Sequence, residues 1–125
     1  MKIIVVDDEQ DIQLLFEQQF RREIKNNQIQ LHFAFSAEEA LQFLQKGSNN
    51  CITLILTDIN MPGMSGLDLL QHIKKKYEVP PPVVMMITAY GDEENYTQAM
   101  RLGADDFLTK PIDFRLLKQK LKIES

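Results

Sequence analysis

The sequence holds one cysteine, Cys51, so no disulfide can form within the chain. No apolar run comes near the roughly 20 residues needed to span a bilayer. The opening segment, MKIIVVDDE, has an apolar stretch too short for a signal peptide. These absences set the expectation of a cytoplasmic protein with no membrane association. Positive charge is not in excess either: 14 Lys and Arg face 18 Asp and Glu, a net charge of −4. That excludes the basic footprint of a nucleic-acid binder. The one dense basic cluster, Lys74, Lys75 and Lys76, reads as a solvated helix C-terminus, where cations complement the macrodipole. Repeats, low-complexity tracts and inter-domain linkers are missing, and 125 residues suit one domain with one core.

Two kinds of segment alternate along the chain. Compact apolar runs are KIIVV, IQLHFAF, CITLIL, PVVMMI and DDFL. Between them apolar residues recur at helical spacing: Ile12, Leu15, Phe16 and Phe20; Ala37, Ala40, Leu41 and Leu44; Leu67, Leu70 and Ile73; Tyr96, Ala99 and Met100; Phe114, Leu117 and Leu121. The order is β-α repeated, with five runs and five helical segments. Ser36 and Glu39 have capping-box spacing and should open the second helical segment, and KGSNN at 46–50 should close it. The first, third and fourth runs are apolar without alternation, as expected of strands covered on both faces in a parallel sheet. The second alternates better, as an edge strand would. VPPP at 79–82 reads as a loop leading into the fourth strand, because proline offers no donor to a central strand.

In open α/β sheets, ligands bind at the carboxyl ends of the strands. The residues that follow the apolar runs are Asp7 and Asp8, Thr57 and Asp58, Thr88, and Thr109 and Lys110. Three carboxylates, a hydroxyl and an amine should therefore meet on one rim. A single Asp there is often just a helix N-cap. Asp58 is not, because MPGMSG separates it from the next helical segment. Clustered carboxylates repel unless a cation compensates them, and this oxygen-only set suits Mg²⁺. No His or Cys accompanies them, which argues against zinc or copper. His32 and His72 lie elsewhere, in a strand and on a helix, and read as structural.

VVDDE, LTDINMPGMSGLDLL, ITAY and GADDFLTKPID resemble, in order and spacing, the receiver domain of two-component response regulators, over essentially the whole chain. The resemblance implies an α/β, doubly wound (βα)5 flavodoxin-like sandwich. Its five-stranded parallel sheet would have the order 2-1-3-4-5, with helices on both faces. One receiver domain is expected over residues 1–125, with no output domain in this chain, as in a single-domain regulator or a receiver cut from a longer protein. Asp58 would be the phospho-acceptor. Asp8 would ligate Mg²⁺ directly, Asp7 mainly through water, and Asn60 through its backbone carbonyl. Lys110 would pair with the phosphoryl oxygens. Thr88 would be the switch hydroxyl and Phe107 the switch aromatic, although Phe107 lacks the tyrosine hydroxyl of many relatives. Lys110-Pro111 would be cis. Asn60 and Tyr90 would flank the water that removes the phosphoryl group, with Tyr90 as a gate.

The protein is thus expected to be a phospho-accepting switch in phosphorelay signal transduction, not an enzyme in the ordinary sense. It would nonetheless catalyse its own phosphorylation and dephosphorylation at Asp58. Its phosphodonor would be a sensor histidine kinase or phosphotransfer protein. The fourth helical segment, fifth strand and fifth helical segment would contact an output element or a second copy, and the first helical segment with the loop after Lys110 would receive the kinase; Ile112 in that loop and Arg115 and Lys118 on the last helical segment are the candidate contacts. Two other classes fit less well. A phosphatase of the haloacid dehalogenase type needs a second Asp two residues after the nucleophile, where this chain has Asn60. A flavin-binding flavodoxin needs a hydroxyl- and glycine-rich phosphate loop after the first strand, where this chain has Asp-Asp-Glu.

Overall fold

The computed structural model describes residues 1–45, 52–76, 83–89 and 91–121. The segments KGSNN (46–50) and VPPP (79–82), with Cys51 and Tyr90, lie outside them. Five strands form one parallel sheet: β1 (Lys2–Val6), β2 (Gln30–Ala34), β3 (Ile52–Asp58), β4 (Val83–Ala89) and β5 (Asp106–Lys110). Their order is β2-β1-β3-β4-β5, as the resemblance implied. The helices are α1 (Asp11–Gln19), α2 (Arg21–Lys25), α3 (Ala37–Gln45), α4 (Gly66–Lys76), α5 (Glu93–Arg101) and α6 (Phe114–Lys120).

Side chains alternate across each strand, so a buried strand feeds two cores. Ile4, Val6, Ile55, Val84 and Met86 face α3, α4 and α5 and pack with Ala37, Ala40, Leu70, Ile73 and Ala99. Ile3, Val5, Leu54, Leu56, Met85, Ile87 and Leu108 face the other way, onto Phe16, Phe20, Leu117 and Leu121 of the α1 and α6 layer. β2 is an edge strand as expected, but both of its faces are covered. Leu31 and Phe33 join the second core and Ala34 the first, while His32 stacks on Phe43 with ring centroids 4.9 Å apart.

Three expectations need correction. The first helical segment is two helices, because Phe20 (φ −106°, ψ 18°) leaves helical geometry between α1 and α2. The bonds from Phe20 N to Phe16 O and from Ile24 N to Phe20 O still cross the break. Leu15, Tyr96 and Met100 were placed on buried faces by spacing, yet all three are exposed. Finally, Lys74 is not simply solvated: its Nζ donates to Asp105 Oδ2 at 3.0 Å. The same carboxylate oxygen accepts from Val84 N at 2.9 Å, so this lysine helps tie α4 to the start of β4 and the turn before β5.

The α3 cap forms much as its spacing predicts. Ser36 Oγ accepts from Glu39 N at 3.0 Å, while Glu39 reaches back to Phe35 N at 3.3 Å. At the same end of the sheet, backbone bonds continue past the strands. Asp7 N donates to Ala34 O and Ile59 N to Ile87 O, each at 3.1 Å. These bonds hold the chain in register where the side chains of interest begin.

Candidate phosphoryl-acceptor and metal site

Asp7 and Asp8 follow β1, Asp58 ends β3, Thr88 lies near the end of β4 and Lys110 ends β5. The parallel register brings all five to one rim. Asp7, Asp8 and Asp58 each offer a carboxylate oxygen, and these oxygens lie within 4.8 Å of one another. Asp7 and Asp58 are buried and Asp8 is exposed. A buried carboxylate needs compensation. Asp7 Oδ1 finds part of it by accepting from Glu9 N at 2.9 Å. Asp58 Oδ2 accepts from Lys110 Nζ at 3.1 Å. The other Asp7 oxygen, Oδ2, is buried with no hydrogen-bond donor, and its ion-pair partner Lys110 Nζ stands 3.7 Å away.

One amine therefore serves two buried acids, and it falls short. Burial raises the Asp58 carboxyl above its ordinary range; the Lys110 hydrogen bond and charge pull back, and the Asp8 charge pushes up again. Burial likewise raises Asp7, against the Glu9 backbone bond, with the Asp58 charge adding to the rise. Burial lowers Lys110, but the Asp58 hydrogen bond and the charges of Asp58, Asp7 and Glu9 outweigh it and leave it raised. A further cation is what this arrangement is short of. The oxygen-only donors and the Asp7 Oδ2 that lacks a hydrogen-bond donor fit a hard divalent ion.

The loop after Asp58 turns on Gly66. Gly66 N donates to Ile59 O at 2.9 Å, and a Cβ on residue 66 would stand 2.1 Å from Asp58 O. No side chain can occupy that position without displacing the acceptor strand. The sequence showed this glycine only as part of a motif; its reason is visible in the packing. Asn60 is exposed at the start of the loop, beside the acids, while Ile59 and Met61 anchor its flanks in the core.

On the β4 side, Thr88 Oγ1 is buried and has no hydrogen-bond partner. Phe107 of β5 is half-buried, and its ring packs tilted against Tyr96 of α5 with centroids 4.1 Å apart and planes at 55°. Spacing had placed Tyr96 on a helix without giving it a contact, so its approach to the expected switch aromatic was not foreseen. The Lys110-Pro111 bond is cis. Ile112 is half-buried and Arg115 exposed. Lys118 is turned inward instead: its Nζ pairs with buried Glu23 at 3.0 Å and lies 5.3 Å from the centroid of the Phe20 ring. Among the described residues, no helix is long and apolar enough to cross a membrane.

Comparison with known proteins bears on this geometry. The family model described as response regulator receiver domain matches residues 3–122. Response regulator protein PilR of Pseudomonas aeruginosa is 39% identical over 118 residues, covering 94% of this chain and 24% of that protein. The chain thus spans about a quarter of the length of that curated relative. Two solved structures superpose closely. A response regulator receiver domain protein from Clostridium thermocellum is 31% identical, with a TM-score of 0.80 over 97% of this chain and 90% of that one. A CheY-like receiver domain protein from Methanospirillum hungatei is 30% identical, with a TM-score of 0.81 over 97% and 90%.

Proposed function

The chain belongs to the response regulator receiver domain family, and we propose that it works as an Mg²⁺-dependent phosphoryl acceptor whose acceptor is Asp58. One observation carries this reading: a buried Asp58 held by Lys110 at 3.1 Å, with two further carboxylate oxygens within 4.8 Å. Asp7, Asp8, Asp58 and the Asn60 backbone carbonyl would hold the ion. When bound, Mg²⁺ supplies charge neutralisation for the incoming phosphoryl oxygens.

The remaining chemistry belongs to the side chains. Asp58 supplies the attacking carboxylate oxygen, which a donor cannot reach productively unless its phosphoryl group is held in line. The new bond joins that oxygen to phosphorus. The bond to the donor's leaving group breaks, and the leaving group departs with the electron pair and takes up a proton. Lys110 already donates to Asp58 and is placed to donate to a phosphoryl oxygen on it. Thr88 Oγ1, buried without a partner, is a hydroxyl ready to turn toward the same group. Phe107 follows Thr88 as the aromatic half of the switch. That gives two arrangements whose balance the modification shifts through new contacts.

As a response regulator domain, the protein takes its phosphoryl group from a histidine kinase or another phosphodonor. A switched surface on α5, β5 and α6 would then contact an output element or a second copy. The test is incubation with acetyl phosphate and Mg²⁺, followed by mass spectrometry after borohydride trapping. One labile phosphoryl group is expected on Asp58 and none in Asp58→Asn. Label that persists in Asp58→Asn, or that sits on a serine or threonine, overturns the assignment.

A further inference from the structure

A pocket of about 440 Å³ opens beside the switch residues, lined by Thr88, Gly91, Asp92, Glu93, Tyr96 and Phe107 among others. Its walls have an unusual combination. One part is aromatic, Tyr96 tilted against Phe107, and Tyr96 keeps part of its surface in solvent. Behind it lies a hydroxyl with nothing to bond: Thr88 is 2% exposed, and its Oγ1 is shut off from solvent and has no partner. The rim is acidic. Asp92 spends its carboxylate on the α5 cap, accepting from Asn95 N at 3.3 Å and from Asn95 Nδ2 at 2.6 Å. The Glu93 carboxylate makes no hydrogen bond or ion pair among the described residues, so it remains to meet an incoming charge.

We propose that this pocket binds a planar cation, a guanidinium or amidinium, stacked on Tyr96, paired with Glu93 and donating to Thr88 Oγ1 once that hydroxyl turns into the pocket. A flat cation satisfies all three features at once. Its face suits an aromatic ring, its charge suits the free acid, and its N–H groups suit an oxygen that lacks a donor. A carboxylate would be repelled at the rim. A neutral apolar group would leave Thr88 Oγ1 unsatisfied.

Occupancy has a consequence for the switch, which rests on the phosphoryl-acceptor reading above. Thr88 Oγ1 turned into the pocket to meet a ligand is turned away from a phosphoryl group on Asp58, and Phe107 cannot fill space that the ligand holds. Binding and phosphorylation therefore oppose each other, and linkage makes the opposition reciprocal.

The experiment titrates the unmodified chain with benzamidine, with an N-acetyl-arginine amide, and with benzyl alcohol and benzoate as neutral and anionic counterparts, following backbone amide shifts by NMR. The two cations should give saturable shifts centred on Thr88, Glu93, Tyr96 and Phe107. Binding of benzamidine alone assigns the site to free aryl amidines, and binding of the arginine amide as well extends it to an arginine side chain. Tyr96→Ala should weaken benzamidine about 2- to 5-fold, the scale of an exposed cation–π contact, and Glu93→Gln should weaken it further. Equal shifts with benzoate or benzyl alcohol, shifts centred elsewhere, or a titration unchanged in Tyr96→Ala overturn the site. Repeating the titration with acetyl phosphate and Mg²⁺ tests the coupling. Benzamidine should bind more weakly to wild type and equally well to Asp58→Asn. Unchanged affinity in protein shown by mass to carry phosphate on Asp58 overturns the coupling. Failure to find phosphate on Asp58 instead counts against the phosphoryl-acceptor reading, and the first titration still decides the site.

Discussion

At the scale of single residues, charge balance explains most of what the rim does. Asp7 and Asp58 share one ammonium, so a divalent ion should stabilise the folded state by mass action. Millimolar Mg²⁺ should raise the thermal midpoint of the wild type. Asp8→Ala should reduce that rise, since it removes an exposed ligand without cutting into the core. Equal shifts in the two proteins would remove Asp8 from the site. His32 offers a pH test away from the rim. Burial, then the charge of Lys2, lowers its pKa in the folded protein. As pH falls through its ordinary value of about 6.5, the unfolded chain takes up a proton that the folded chain resists. The stability tied to neutral His32 is thus complete above that value and declines below it. Asp7 and Asp58 act in the opposite sense, because their raised folded values make the native state take up protons first. The comparison must therefore be a difference. Between about pH 7.5 and about pH 5, wild type should lose more stability in urea than His32→Gln, and identical losses would show that the ring carries no such penalty.

At the scale of elements, two contacts decide whether neighbouring pieces hold. Gly66 opens α4 against the backbone of the acceptor strand. Gly66→Ala should cost about 2 kcal/mol or more, as overpacking of a tight site does. It should also slow phosphorylation by acetyl phosphate, because the backbone that must yield is that of Asp58. A folded variant with unaltered stability and rate would refute this close approach. The second contact joins α2 to α6. Among the described residues, Glu23 is buried with only Lys118 as cation, and its Oε1 has no hydrogen-bond partner. Lys118→Met should destabilise by roughly 3 kcal/mol, because it strands a buried charge. Adding Glu23→Leu should recover much of that loss in chemical denaturation, and no recovery would mean that the stem of Lys118, not its charge, is what matters. Before the structure, spacing placed α6 but no helix over 21–25, and so not the contact between them. A glutamate at a buried position looks like any surface residue in a sequence, because nothing local announces a partner from a distant helix.

At the scale of the whole molecule, the same limit separates what could be read from what could not. The apolar runs of β1, β3 and β4 gave away a doubly covered parallel sheet, because burial on both faces leaves no place for alternation. Asp7, Asp8, Asp58, Thr88 and Lys110 were legible because they follow those runs and a parallel sheet gathers strand ends on one side. Strand order came from the resemblance, since periodicity does not say which strand lies beside which. The break at Phe20 was not legible, because its apolar spacing continues across it. Nor was the exposure of Tyr96 and Met100, whose spacing is that of a buried face while only Ala99 among the three is covered. Tyr96 is the instructive case: a ring at a helical interval reads as core, and only the fold shows it lying over Phe107 at the surface.

The dispersal of the rim along the chain also sets an order in time. Asp7 and Asp58 leave the ribosome well before Lys110, which ends the last strand and arrives with β5 at the sheet's edge. A nascent chain that has paired β1 with β3 already brings two acids together, but the lysine that steadies them has not yet been made. Until β5 docks, Asp7 and Asp58 lack the ammonium that stands 3.7 and 3.1 Å from them in the folded protein. The charge balance of the rim therefore waits on the strand of the sheet that is made last.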